Sequence, residues 1–264
     1  MIGNEHILFE TDTDFEHYQV VDRLYEGRQA RVLFSGPRRA AQSGIGLDDD
    51  PDLLFDYNQR LLEIANALYP ARILVIGGGA FTLPSALVTA LPDSRIDVVE
   101  LDPGLLPIAK NYFGLYDSDR LTVTFGDGRQ FIAQTKEKYD LIILDVFSDL
   151  VVPRQFLTAE FIAQIHGLLR KGGAVAMNII ASYQGRNTAL IRSQIAGYQR
   201  SFDAITIFPA AHGISSWLPQ NMIIVAQDGP LKALEPYVRF APLQTLQVTE
   251  DDMYYDAKEG LLAN

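Results

Sequence analysis

Short pieces of alternating apolar and polar residues occupy the chain from about Glu5 to Ser43: HILFE, HYQVVDRL and QARVLFSG. Turn signals at Glu26-Gly27 and Gly36-Pro37 separate them, which predicts small antiparallel strands and hairpins. The stretch Leu47-Asp48-Asp49-Asp50-Pro51-Asp52 is a polar break. Helical spacing follows over Leu53 to Leu68, closed by Pro70. From Arg72 the rhythm changes to strand alternating with helix. Strands are predicted at ARILVIGGG, Ile96–Glu100, Leu121–Phe125, Tyr139–Leu144 and Ala174–Ile179, with a late pair at Ala204–Phe208 and Met222–Ala226. Helices are predicted at Leu83–Ala90, Pro103–Tyr112, Thr158–Leu169 and Asn187–Tyr198, with Lys171-Gly172-Gly173 as a turn. Such alternation implies an α/β fold with a doubly wound, mostly parallel sheet. The expected organisation is an N-terminal β-hairpin domain over 1–50, a main domain over 51–230, and a tail over 231–264 packed on it.

Composition narrows the function classes. The 264 residues carry 22 Lys+Arg against 33 Asp+Glu, a formal charge of −11, and 48% are hydrophobic. That profile fits a soluble globular chain and excludes wholesale disorder. No Cys is present, which removes disulfides, thiolate metal sites and Cys nucleophiles together. The four His residues show no metal-ligand spacing, so no metal is expected. A net acidic chain is not expected to take nucleic acid as its partner, because phosphate binding rests on clustered Lys and Arg. The N-terminal residues show no signal peptide, and no apolar run approaches a membrane span. A cytoplasmic protein is expected. Most of the acidity reads as solubility, though it is compatible with a cationic acceptor.

In an open parallel sheet the ligand crevice lies outside the carboxyl ends of the strands. Each predicted strand brings chemistry to that edge: Gly77-Gly78-Gly79, then Glu100, then Asp127, then Asp145 with Asp149 behind it. The glycines alone are a weak signal, because Thr82 stands where a dinucleotide fingerprint has its third Gly. Glu100 lies 23 positions after Gly77, about where a carboxylate grips ribose hydroxyls. A Gly-Asp-Gly after the third strand favours an adenosine thioether over a dinucleotide, with Asp127 accepting from the adenine amino group. A plain helix cap is the bland reading of each of these acids.

From about Tyr18 to Ala226 the chain resembles the spermidine synthase (polyamine aminopropyltransferase) family and its methyltransferase-fold relatives. The matching text is ILVIGGG, VVELDP, FGDGRQFI, KEKYDLIILD and Phe156-Leu157-Thr158-Ala159-Glu160-Phe161. Gln42 and Phe55-Asp56-Tyr57-Asn58-Gln59 occupy the places of the family's upstream Gln and Tyr-His-Glu signature. The resemblance implies a Rossmann-like, methyltransferase-type sheet behind the N-terminal β domain, and a homodimer or homotetramer. It implies S-adenosylmethionine or its decarboxylated form as donor and a small-molecule amine or other small acceptor. Nucleoside-binding roles fall to Gln42, Gly77, Gly78, Gly79, Glu100, Leu101, Asp127 and Gly128. Catalytic roles fall to Asp145, Asp149 and Tyr57, with Asp145 orienting the amine and taking its proton.

The pattern departs from the family at three places. Ala80 replaces the Asp that follows the glycine triplet in aminopropyl-transferring members. The Asp145-Val146-Phe147-Ser148-Asp149 loop is one residue longer than the family's Asp-x-x-Asp. Asn58 and Gln59 replace the His and Glu of the signature. Ala80 permits the undecarboxylated donor, so methyl transfer stands as the alternative, and a catalytically degenerate nucleoside- or polyamine-binding module as a second. Elsewhere, the run Asp48 to Asp52 reads as a solvated loop, His166 as structural, Phe147 as a core aromatic, and Trp217 as a hydrophobic plug or a residue closing the groove.

Overall fold

Uninterrupted apolar runs such as Ile73–Ile76 and Leu141–Leu144 need cover on both faces, and the chain supplies it with helices on either side of one sheet. The computed structural model describes residues 5–48, 52–147, 151–185, 188–211, 213–232 and 252–255. Four antiparallel strands come first: β1 His6–Asp12, β2 His17–Tyr25, β3 Arg28–Ser35 and β4 Ala40–Gly46, paired in that order. A second sheet contains β5 Arg72–Ile76, β6 Arg95–Glu100, β7 Leu121–Phe125, β8 Tyr139–Leu144, β9 Leu169–Ala181, β10 Ala204–Pro209 and β11 Gln220–Gln227. Its spatial order is β10-β11-β9-β8-β5-β6-β7. The pairs from β7 across to β9 are parallel, and β11 runs antiparallel between β9 and β10. The helices are α1 Asp56–Leu68, α2 Thr82–Ala90, α3 Leu105–Tyr112, α4 Gly128–Gln134, α5 Ala159–Leu168 and α6 Ala189–Ser201.

Strand alternation splits the core into two layers. Ile73, Val75, Val98, Leu141 and Ile143 face a layer containing Leu61 and Ile64 of α1, Leu87 of α2, Ile108 of α3, and Val20 and Leu33 of the N-terminal sheet. Leu74, Ile76, Ile142 and Leu144 face Ile132 of α4, Phe161 and Ile165 of α5, and Ile191 and Tyr198 of α6. The sheet reverses its winding between β5 and β8, which places the ligand crevice at the ends of those two strands.

Several boundaries differ from the pattern in the sequence. The helix expected from Leu53 starts at Asp56, because Leu53 bridges Ile45 and the Leu54 amide donates to the Gly44 carbonyl at 3.2 Å. The turn expected at Lys171-Gly172-Gly173 is present as a loop-out within β9: Leu169 pairs with Tyr139 and Ala174 with Leu141, which leaves residues 170–173 opposite Asp140 alone, with Gly172 at φ +79°. Two elements, β4 and α4, have no counterpart in the pattern. In β4, Leu33 pairs with Ser43 and Phe34 with Ala41, so Gln42 is the extra residue of a bulge.

The two sheets are tied beside the crevice. Asp102 receives the Thr13 hydroxyl at 2.6 Å and the Gly104 amide at 2.8 Å. Arg31, held by Asp22 at 2.8 and 3.0 Å, donates to the Tyr112 carbonyl at 2.9 Å. Burial and the nearby Asp102 carboxylate raise the Tyr18 phenol far above its ordinary range.

Candidate functional site

The glycine turn after β5 is built around its neighbours. Gly77 has φ +95° and donates to the Val99 carbonyl at 2.9 Å; a Cβ there would lie 2.1 Å from the Asp145 carbonyl oxygen. Only glycine permits that approach, so the turn and the start of the Asp145 loop share one wall. Phe81, fully buried at φ +57°, closes the turn by donating its amide to the Gly78 carbonyl at 2.8 Å.

Glu100, at the end of β6, organises this turn from the opposite side. One carboxylate oxygen accepts from the Gly78 and Gly79 amides at 2.6 and 3.2 Å, and the other from the Asp102 amide at 2.8 Å. Burial raises its pKa, and those amides oppose the shift. The Leu101 amide acts in the same direction, so four backbone amides converge on this carboxylate. Leu101, next along, is 49% exposed at the same edge.

Asp127 caps α4, accepting from the Gln130 amide at 2.9 Å. Gly128 is buried against Ile76, where a Cβ would meet the isoleucine methyl at 2.5 Å. Arg129 anchors the turn from behind, donating to the Thr158 hydroxyl at 3.1 Å and to the Gln155 carbonyl.

Asp145 follows β8, its amide bonded to the Ile76 carbonyl at 2.9 Å. Burial pushes its carboxyl up to about 6, against the pull of the Asn178 amide, which donates at 3.1 Å. Asn178 is itself 1% exposed on β9, and its own amide oxygen has no partner. The sequence reading missed it; a lone Asn inside AVAMNII, near the crevice end of a buried strand, was the available signal. Tyr57, on the first turn of α1, donates to the Gln42 carbonyl at 3.1 Å. Burial and the negative charge of Asp145 raise its phenol well above the ordinary value.

Gln42, Tyr57, the glycines, Glu100, Leu101, Asp127, Gly128 and Asp145 therefore all belong to the elements bordering the crevice. Asp149 lies outside the described residues, as do Ser148, Asp49, Asp50, Asn187 and His212. Ala80 is fully buried, and its amide is taken by the Ser43 hydroxyl at 3.0 Å. Asp48 and Asp52 are bonded to Arg28 rather than to the crevice. Trp217 is no buried plug: it is 65% exposed and lies on Gly185, where a Cβ would come within 2.5 Å of its ring. His166 pairs with Asp228 at 2.8 Å and packs edge-on to Phe202. Among the described residues no three His, Asp or Glu converge as a metal site, and no helix is long and apolar enough to cross a membrane.

Residues 54–205 match the model of the spermine/spermidine synthase domain. The chain belongs to that family. A polyamine aminopropyltransferase of Vibrio vulnificus (strain CMCP6) is 37% identical over 199 residues, covering 69% of this chain. The match spans 65% of that relative's length. Among solved structures, a probable spermidine synthase from Corynebacterium glutamicum ATCC 13032 superposes with a TM-score of 0.75 at 21% identity, over 92% of this chain and 100% of that one. Human methyltransferase-like protein 13 in complex with SAH gives 0.58 at 25% identity, over 75% and 96%. The expected fold, a methyltransferase-type Rossmann-like sheet behind an antiparallel N-terminal one, is the fold observed.

Proposed function

We propose that the protein is a transferase that receives an S-adenosyl sulfonium donor at the ends of β5 to β8 and passes its aminopropyl group to an amine held by Asp145. One observation carries this reading: Asp145, whose carboxyl burial raises to about 6, packs its backbone carbonyl directly against Gly77 of the glycine turn that Glu100 organises. Ribose hydroxyls donate to Glu100, and the adenine amino group to Asp127. Gly128 lies beside the ring, Leu101 covers it, and Gln42 lines the same side. The donor supplies a sulfonium leaving group, so positioning does much of the work.

Asp145 and Tyr57 orient the incoming amine. An unperturbed alkylammonium titrates at about 10.4, so it must lose a proton before it can attack. A carboxylate with a pKa of 3.8 is a poor acceptor for that proton; raising it to about 6 narrows the gap by about 3 kcal/mol. The base must be ionised, so transfer rises with pH through about 6.

A second reading, methyl transfer from intact S-adenosylmethionine, is favoured by Ala80. Its buried methyl offers no carboxylate to the free ammonium tail of the decarboxylated donor. The two readings separate when an amine panel is incubated with each labelled donor. Product carrying the aminopropyl group supports the first, and methylated product replaces it with the second. Donor binding without product from either sinks transfer altogether and leaves a binding module.

A further inference from the structure

We propose that the C-terminal segment Asp252–Tyr255 is a positioning clasp for the nucleoside end of the donor site, acting through Thr158 and Arg129 on the Asp127–Gly128 turn. This rests on the nucleoside role given to that turn above. The segment is far from the crevice in sequence, yet it is fixed at every residue. Asp252 forms a two-point ion pair with Arg192 of α6, at 3.1 and 3.0 Å. Met253 is 4% exposed and packs between Ala159 of α5 and Ala196 of α6. The Tyr254 carbonyl accepts the Ala159 amide at 2.8 Å, and Tyr254 bridges Thr158 in the manner of a parallel strand. Arg200 donates to the Tyr255 hydroxyl at 3.2 Å.

The clasp therefore holds the first turn of α5, where orphan amides would otherwise face solvent. Thr158, fully buried, caps that turn at the Phe161 amide and simultaneously receives Arg129 at 3.1 Å. Arg129 spans the gap from α4, lying over the Phe161 ring with 5.1 Å to its centroid. It directly follows Gly128, and Phe156 lines the same wall, 3.5 Å from a Cβ built on that glycine. Each link is a hydrogen bond, an ion pair or a packed contact. Loosening the clasp frees Thr158, and with it one of the two anchors that Arg129 uses to orient the nucleoside turn.

The test compares the unsubstituted chain with Met253→Asp, which unseats the clasp, and Arg192→Gln, which removes its ion pair. Methylthioadenosine affinity is measured by calorimetry, and amide hydrogen exchange is followed over residues 126–131. Both variants should bind methylthioadenosine about tenfold more weakly and exchange faster at 128–131 even without ligand. In turnover, the donor KM should rise while kcat and the pH profile stay as in the wild type. Met253→Asp is the harsher change; if it does not fold, Arg192→Gln gives the result alone. Unchanged exchange at 128–131 in a folded variant overturns the clasp, whatever the ligand does. Faster exchange in a chain whose wild type binds no methylthioadenosine keeps the mechanical coupling but overturns both the positioning role and the nucleoside reading.

Discussion

Holding the Asp145 carboxyl at about 6 instead of 3.8 means that the folded chain disfavours its ionised form. A group raised on folding binds its proton more tightly in the native state, so stability is lost as pH rises through that interval. Below 3.8 both states are protonated and nothing is lost. Well above 6 the native chain carries a charge that the unfolded chain solvates better, a penalty of at most about 3 kcal/mol at 1.36 kcal/mol per pH unit. Asp145→Asn removes the charge while keeping an oxygen for the Asn178 amide. The variant is therefore expected to gain up to about 3 kcal/mol at pH 7.5 and about half of that at pH 5. Urea unfolding of both proteins at the two pH values measures the difference. Transfer should be abolished in the same variant, with methylthioadenosine binding retained. A gain that does not depend on pH, or a loss of stability at pH 7.5, would refute the assignment of a strained carboxylate at this position.

Other substitutions test neighbouring links. Asn178→Leu removes the donor that steadies the Asp145 carboxylate; with a charged hydrogen bond worth about 1.5–3 kcal/mol, the acid limb of the pH–rate profile should move up by about one to two units. An unmoved limb would show that Asn178 does not act on Asp145. Asp127→Ala should lower stability by about 1 kcal/mol through its lost cap and weaken methylthioadenosine binding about tenfold. Loss of stability with unchanged affinity would reduce Asp127 to a cap. Gly77→Ala places a Cβ 2.1 Å from the Asp145 carbonyl at a φ of +95°. It should cost more than about 3 kcal/mol by chemical denaturation; a neutral result would mean that the turn and the Asp145 loop move independently.

The central strands were legible because a strand buried on both faces must be a continuous apolar run, as ILVI and LIIL are. Their ends were legible for the same reason: polar residues directly after such runs have few places to be except the crevice. What the pattern hid was structure made by tertiary contact. In β4, AAQSGIG carries no period-2 signal, yet it supplies Ser43 against Ala80 and the Gln42 bulge. Asn178 was hidden because its partner lies 33 residues away, and spacing cannot signal that. Asp102 offered the opposite lesson. It stands at a strand end like Glu100, but it accepts from Thr13, which ties the main sheet to the N-terminal one, and from the nearby Gly104 amide.

Calorimetry of the wild-type protein with methylthioadenosine, S-adenosylmethionine and decarboxylated S-adenosylmethionine tests the central claim most directly. The expected result is binding of methylthioadenosine and at least one of the two donors, weakened in Asp127→Ala and preserved in Asp145→Asn. Failure of all three ligands to bind would contradict the claim that the ends of β5 to β8 form a nucleoside site.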